Sequence, residues 1–141
     1  MKLSFLILLT FFSFVASSYG QAAKPDKEFK ASMLRGKEIY ERVCIACHQA
    51  DAAGVPRMIP PLVKTKWVLG DKKTLVKIVL NGLQGGEIEI DGDTFSNPMP
   101  AQGDLMTDQE IADVVTYVRN SFGNKATPVK AAEVKLFRTA K

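Results

Sequence analysis

The sequence predicts an all-α domain with three main helices joined by short turns. Apolar residues recur with helical spacing in three segments, at about 29–43, 71–80 and 107–123. Clusters of proline and glycine, which interrupt regular helices, separate these segments. The alternation typical of a strand is confined to a few residues before residue 94, so helices account for most of the fold.

The first helix is predicted over about Phe29–Val43. Its residues near one face are Met33, Leu34, Gly36, Ile39, Tyr40 and Val43. The helix leads directly into Cys44. The stretch 49–62 that follows contains one glycine and three prolines, which predicts a loop.

A second helix is predicted to follow Asp71, whose short carboxylate suits an N-cap, and to run to about Leu80. The dipeptide Asn81-Gly82 ends it. A short turn is predicted just before this helix, around Trp67.

A small hairpin is predicted at residues 87–93, where polar and apolar residues alternate around the turn dipeptide Asp91-Gly92. Its carboxylates form an acidic run of Glu87, Glu89, Asp91 and Asp93. This run is either a solvated face of the hairpin or a docking patch for a partner protein. The segment 96–100 contains two prolines and is predicted to be extended.

The final helix has the clearest start signal. Thr107 and Glu110 have the spacing of a capping box, and Met106 and Ile111 have that of a hydrophobic staple. Gly123 is predicted to be its left-handed C-terminal cap. Beyond it, Thr127-Pro128 is a candidate start for a short helix over Ala131, Val134 and Leu136.

Residues 1–20 have the pattern of a secretory signal peptide, with Lys2 followed by an apolar stretch from Leu3 to Ala16. This stretch of about 14 residues is shorter than the roughly 20 that cross a bilayer as a helix, so cleavage is favoured over a retained anchor. The rest of the chain is interpreted as a polar leader (21–28), one domain (29–123) and a basic C-terminal tail (124–141).

The formal net charge of the chain is +4, and Lys2 is the one charge in residues 1–20, so cleavage would leave +3. This charge favours solubility and permits steering toward an acidic partner surface. The lysines are spread along the chain among acidic residues, which argues against a nucleic-acid-binding function.

The most specific motif is Cys44-Ile45-Ala46-Cys47-His48, which uses both cysteines and the sole histidine of the chain. C-x-x-C-H is the attachment signature of c-type haem. On a segment with helical pitch, the two thiols can each form a thioether with one vinyl group while the imidazole reaches the iron from the same side.

Three other interpretations of the cysteine pair are a thioredoxin-like redox pair, half of a zinc site and a small structural disulfide. A thioredoxin-like pair belongs beside a βαβ pattern, and none is visible. A four-ligand zinc site needs a second pair of Cys or His residues, which the chain lacks. Haem attachment is therefore the favoured interpretation.

A second axial ligand from this chain cannot be a histidine, so methionine is the natural candidate. Met99 is favoured because it lies in an extended, proline-flanked segment 51 residues after His48. Met106 is explained by the staple and Met33 by the core face of the first helix, whereas Met58 lies too close to the motif. The alternative for Met99 is a core filler.

These features together resemble a class I, small soluble, bacterial cytochrome c. The resemblance covers roughly residues 32–122. Its motifs are Gly36-x-x-x-Tyr40, Cys44-x-x-Cys47-His48, Pro60-x-Leu62, Met99-Pro100 and a final helix that contains Tyr117. It implies the cytochrome c fold around one covalently bound haem c.

The resemblance also implies individual roles. Gly36 and Tyr40 would meet the final helix near Tyr117. The carbonyl of Pro60 would accept a hydrogen bond from His48 Nδ1, although Pro61 follows at once and simple stiffening of the loop is the alternative. Trp67 would either donate to a haem propionate or pack against the haem edge, and packing is favoured.

The functional expectation is an exported, periplasmic, monohaem carrier of single electrons with His48 and Met99 as axial ligands. We expect it to contact redox partner proteins transiently, alone or as a subunit of a dehydrogenase or oxidase, and to meet a membrane only through a partner or an uncleaved signal. The first alternative is a haem enzyme or gas-binding protein with an open sixth position, and the second is a thiol redox protein.

Overall fold

The computed structural model describes residues 27–139. The predicted signal peptide, most of the predicted polar leader and the last two residues of the predicted tail lie outside this range. None of the helices within it is long and apolar enough to cross a bilayer.

The N-terminal helix α1 comprises Lys27–Ile39, so it begins two residues before the predicted start. It continues as a π-helical turn at Tyr40–Cys44 and then as the short helix α2 at Ile45–His48. In the π turn the amide of Ile45 donates to the carbonyl of Tyr40, five residues back. The extra residue in this turn changes the direction in which the following side chains point.

Most of the predicted core face of α1 is confirmed, since Gly36, Ile39 and Tyr40 are buried. Leu34 is an exception, because 68% of its surface is exposed. At 100° per residue, Leu34 stands about 200° from Gly36 around the helix, so both cannot face the core.

The middle of the chain contains the one-turn helix α3, Lys66–Leu69, and the helix α4, Lys72–Asn81. The side chain of Asp71 accepts hydrogen bonds from the amides of Lys73 and Thr74, which confirms it as the N-cap of α4.

The predicted hairpin is confirmed, with antiparallel strands β1, Ile88–Ile90, and β2, Asp93–Phe95. Its turn residues Asp91 and Gly92 both have positive φ, of 53° and 88°, as a type I′ turn requires. Ile90 and Phe95 are buried.

Helix α5, Asp108–Asn120, begins with the predicted capping box of Thr107 and Glu110. The predicted C-cap is wrong. Gly123 does have positive φ, but α5 ends at Asn120 and Ser121 is already extended. The side-chain amide of Asn124 donates to the carbonyl of Val118 at 2.7 Å and so satisfies one end carbonyl of the helix.

The chain continues into helix α6, Ala131–Thr139, at the place where the tail was predicted to contain a short helix. It packs on α5 and α4, and its Val134 is fully buried. Val129, just before α6, exchanges hydrogen bonds with the hydroxyl of Thr116 in α5. The packed core therefore extends beyond residue 123.

The two helices with the most extensive contact are α1 and α5. They cross at Gly36. The Arg35 side chain beside it donates to the buried carboxylate of Asp113 at 2.6 Å and 3.1 Å. The aromatic rings of Tyr40 and Tyr117 lie next to the crossing, with centroids 5.7 Å apart. This contact between α1 and α5 holds the end of α1, and the motif that follows, against the core.

Candidate cofactor site

An apolar cleft lies between the Cys-x-x-Cys-His motif, helix α4, the hairpin and helix α5. Its apolar walls include Val68, Leu75, Ile78, Val79, Ile88, Ile90, Phe95, Val114, Val115 and Val118. All six site residues predicted from the sequence also line it, namely Cys44, Cys47, His48, Pro60, Trp67 and Met99. The fold thus brings together residues that are up to 55 positions apart in the chain.

The two cysteines reach the cleft from the π turn and from α2. The two cysteines are not joined by a disulfide, and Cys44 is half-buried while Cys47 is exposed. Burial, together with the nearby Cys47, raises the pKa of the Cys44 thiol to about 11, so it is protonated at neutral pH. The exposure of Cys47 shows that the cleft reaches solvent at the motif.

His48 is oriented by the loop that follows it. Its Nδ1 lies 3.1 Å from the carbonyl oxygen of Pro60, and because a carbonyl can only accept, Nδ1 carries the proton in this bond. Nε2 then keeps its lone pair. Burial lowers the pKa of His48, and although the bond to Pro60 opposes this effect, the neutral ring needed for metal binding is favoured.

Gly54 explains how the loop brings the Pro60 carbonyl to His48. Its amide donates to the carbonyl of His48 at 3.1 Å, and its φ is +69°. A Cβ at this position would lie 2.8 Å from the carbonyl oxygen of Pro60 and closer still to that of Ile59. A residue without a side chain is therefore needed where the loop folds back on itself.

Met99 reaches the cleft from an extended segment that is fixed through its backbone. Its amide and carbonyl both pair with those of Leu83, at 3.0 Å each, just after the end of α4. Gly82 has a φ of +73°, and a Cβ there would overlap the carbonyl oxygen of Met99. This close approach attaches the Met99 segment to α4.

Trp67 also faces the cleft. Its indole Nε1 is buried and has no hydrogen-bond partner among the described residues. A buried donor without an acceptor is costly, so this position suits an acceptor that residues 27–139 do not supply.

The amino-acid sequence matches the protein-family profile described as Cytochrome c over residues 33–122. The chain belongs to the cytochrome c family. The resemblance noted from its motifs is confirmed, and so is the all-α fold class. Membership implies that the matched domain holds a covalently bound haem c and takes part in electron transfer.

The chain is similar to cytochrome c proteins from several bacteria. It is 36% identical over 105 residues, 73% of this chain and 22% of the relative, to the cytochrome c subunit of alcohol dehydrogenase (quinone) from Gluconacetobacter polyoxogenes. It is 35% identical over 119 residues, 79% of this chain and 34% of the relative, to the cbb3-type cytochrome c oxidase subunit CcoP from an Azospirillum species. It spans only about a fifth and a third of these relatives' lengths.

A third relative is comparable in size to this chain. Cytochrome c-552 of Thermus thermophilus is 33% identical over 115 residues, which make up 75% of this chain and 86% of the relative.

The residues of the cleft fit the haem c of the cytochrome c family. Two thiols with the attachment spacing and an imidazole with a free Nε2 line one side of an apolar space. The unpartnered indole N–H of Trp67 matches a propionate as its acceptor. Apolar side chains supply the rest of the wall.

A second methionine of the cleft was not recognised from the sequence as a site residue. Met106 is buried and lines the same cleft as Met99, in addition to its place at the start of α5. The capping-box pattern pointed to the staple alone, and no local signal indicates that the residue also reaches a cleft built by distant elements. Met58, by contrast, is 54% exposed.

The acidic run lies on the outer side of the hairpin. Glu87, Glu89, Asp91 and Asp93 are all exposed, whereas Ile88 and Ile90 between them face the cleft.

Proposed function

We propose that this chain is an exported monohaem cytochrome c that carries single electrons between redox partner proteins. In this proposal Cys44 and Cys47 attach the haem, and His48 and Met99 are the two axial ligands. The observation that carries it is the convergence of these four side chains on one apolar cleft. A haem c held there supplies an iron that gains and loses one electron.

The protein's part is to hold both axial ligands in place. The Pro60 carbonyl fixes the His48 ring so that its Nε2 is available to the metal. The paired backbones of Leu83 and Met99 fix the segment that carries the thioether. If His48 and Met99 both bound the iron, no position would be left for oxygen or peroxide, which favours a carrier over a haem enzyme.

Contact with partners is proposed to be small and transient, at the rim where the cleft meets solvent. Ala46 and Cys47 are exposed on one part of this rim, and Pro98 and Pro100 are exposed beside Met99. An electron carrier must leave each partner quickly, and interfaces of this kind are small. The relatives that are dehydrogenase and oxidase subunits support a partner among such complexes.

The proposed location is the bacterial periplasm. It is supported by the signal-peptide pattern of residues 1–20 and by the bacterial origin of the relatives. Contact with a membrane would come through a partner complex or through an uncleaved signal.

The test of the ligand set compares Met99→Ala with Met106→Leu in the purified holoprotein. Both methionines line the cleft, so Met106→Leu is a matched control for the loss of a thioether from its wall. We expect Met99→Ala to lose the weak far-red band of a methionine–iron bond, to bind carbon monoxide in the reduced state and to have a lower reduction potential. Met106→Leu should keep the behaviour of the wild type.

Other outcomes would point to the alternatives. A reduced wild-type protein that binds carbon monoxide would favour a haem enzyme or gas-binding protein. Purified, exported protein whose mass contains no covalent haem would favour a thiol redox protein. If Met106→Leu bound carbon monoxide in the reduced state and Met99→Ala did not, the sixth ligand would be Met106.

A further inference from the structure

Arg138, in the last turn of α6, makes three hydrogen bonds outside its own helix. Nη1 donates to the carbonyl of Gly103 at 2.6 Å, and Nη2 donates to the carbonyl of Met106 at 3.1 Å. Nε donates to the carboxylate of Asp108 at 2.8 Å. The bonds to Gly103 and Asp108 are exposed, and the bond to Met106 is partly buried.

Two of these acceptors lie in the segment 99–106, which connects Met99 to the start of α5. The other side of the same segment is bound to α4, because the amides of Gln102 and Gly103 donate to the carbonyls of Val79 and Leu80. A Cβ at position 103 would lie 2.7 Å from the Leu80 oxygen and 3.2 Å from Nη1 of Arg138. The segment is therefore held tightly between α4 and the guanidinium group.

Helix α6, which carries Arg138, is held in place by its contacts with α4 and α5. Val134 is fully buried against α5 and α4, and Lys72 in α4 forms a 2.5 Å ion pair with Glu133. The helix lies beyond residues 33–122, which match the Cytochrome c profile, so the Arg138 bonds come from outside the matched segment.

A thioether is a weak ligand, and the fraction of time that it is bound depends on how closely its backbone is held. Releasing the Arg138 bonds would let the 99–106 segment sample more conformations, at the expense of the bound one. We propose that Arg138 is a positioning residue that holds this segment so that Met99 stays on the iron. This inference rests on the proposed role of Met99 as the axial ligand.

The experiment titrates the oxidised holoprotein with imidazole, which competes with the methionine for the iron. We expect Arg138→Gln to bind imidazole about tenfold more tightly than the wild type. The substitution removes stabilisation of the Met99-bound state comparable to that of about one hydrogen bond from a charged group. Glu133→Gln is the matched control, since it removes the ionic contact of α6 with Lys72 without touching the 99–106 segment. Its affinity for imidazole should stay within about twofold of the wild type.

The same titration in a Met99→Ala background separates positioning from general loosening. With no thioether to displace, Arg138→Gln should leave the affinity for imidazole unchanged. An effect of equal size in this background, or in Glu133→Gln alone, would overturn the role of Arg138.

Arg138→Lys is the second variant, for the case that Arg138→Gln does not fold. Lysine keeps the positive charge but lacks the planar guanidinium group whose two Nη atoms reach both carbonyls. Its affinity should lie between those of the wild type and Arg138→Gln, and a value equal to that of the wild type would contradict the role of the two carbonyl bonds.

The outcome also distinguishes this inference from the proposed function. A wild-type protein that binds imidazole as tightly as Met99→Ala would refute Met99 as a ligand. A wild type that binds weakly, with Arg138→Gln equal to it, would refute the role of Arg138 alone.

Discussion

The backbone carbonyl of Asp113 in α5 occupies the space where a Cβ on Gly36 of α1 would stand. The same Cβ would also lie 2.7 Å from the Cβ of Tyr117. The helices can approach this closely only because residue 36 has no side chain. The motif follows at the end of α1, so this approach also sets the position of the cleft wall that Cys44, Cys47 and His48 form.

Gly36→Ala is expected to destabilise the holoprotein by about 3 kcal/mol, because the two helix backbones must move apart. The sign of this change in the free energy of unfolding distinguishes close helix packing from an ordinary helical position. At an exposed position inside a helix, the same substitution would stabilise the protein by about 0.5–1 kcal/mol through helix propensity. The measurement is denaturant unfolding of the oxidised holoprotein.

The control for Gly36→Ala is Lys37→Ala at the next position of α1. Lys37 is exposed and makes a 3.7 Å ion pair with Glu41, so its removal should cost less than about 0.5 kcal/mol. A Gly36→Ala protein at least as stable as the wild type would show that the helices do not need this close contact.

Features carried by short-range chemistry were predictable from the sequence. The predicted caps at Asp71 and Thr107 are confirmed, because each side chain and the amides it accepts from are two or three residues apart. The hairpin turn at Asp91-Gly92 follows in the same way from the residues themselves.

Features that depend on distant packing were not predictable from local sequence patterns, and the Pro60–His48 bond was expected only through the family resemblance. Gly123 satisfies the local rule for a C-cap, but Asn124 caps α5 instead, while its side chain also donates to the carbonyl of Leu62, 62 residues away. The pairing of Met99 with Leu83 and the contact of Arg138 with Gly103 likewise join segments that share no sequence pattern. The spacing of apolar residues identifies the buried face of a helix. It does not indicate which distant segment packs against that face.

Trp67→Phe tests whether the indole N–H of Trp67 donates to a haem propionate or the ring merely packs in the cleft. The buried, unpartnered Nε1 favours donation. Loss of a hydrogen bond to a charged acceptor should destabilise the holoprotein by about 1.5–3 kcal/mol, while phenylalanine keeps most of the packing. The propionate bending band in the resonance Raman spectrum should shift as well. A band at the wild-type position would mean that Trp67 only packs.

Glu110→Gln tests the capping box through the pH dependence of stability. Glu110 Oε2 accepts hydrogen bonds from the amide and the hydroxyl of Thr107, both at 2.9 Å, and these bonds lower the pKa of Glu110 below its usual 4.5. Because the folded-state pKa is the lower one, the stabilisation is complete well above pH 4.5 and is lost as the pH falls through the folded-state value. Glutamine can still accept a hydrogen bond but does not ionise.

The free-energy difference between wild type and Glu110→Gln should therefore be constant near neutral pH and should shrink as the pH falls below about 4.5. Urea unfolding of both oxidised holoproteins between pH 7 and pH 3 measures it, and the haem-linked titrations, common to both, cancel in the difference. If the two stability curves stayed parallel over this range, the hydrogen bonds from Thr107 would not stabilise the ionised carboxylate in the folded protein. The start of α5 would then depend on the Thr107 hydroxyl, which accepts from the Glu110 amide, and on the burial of Met106 and Ile111.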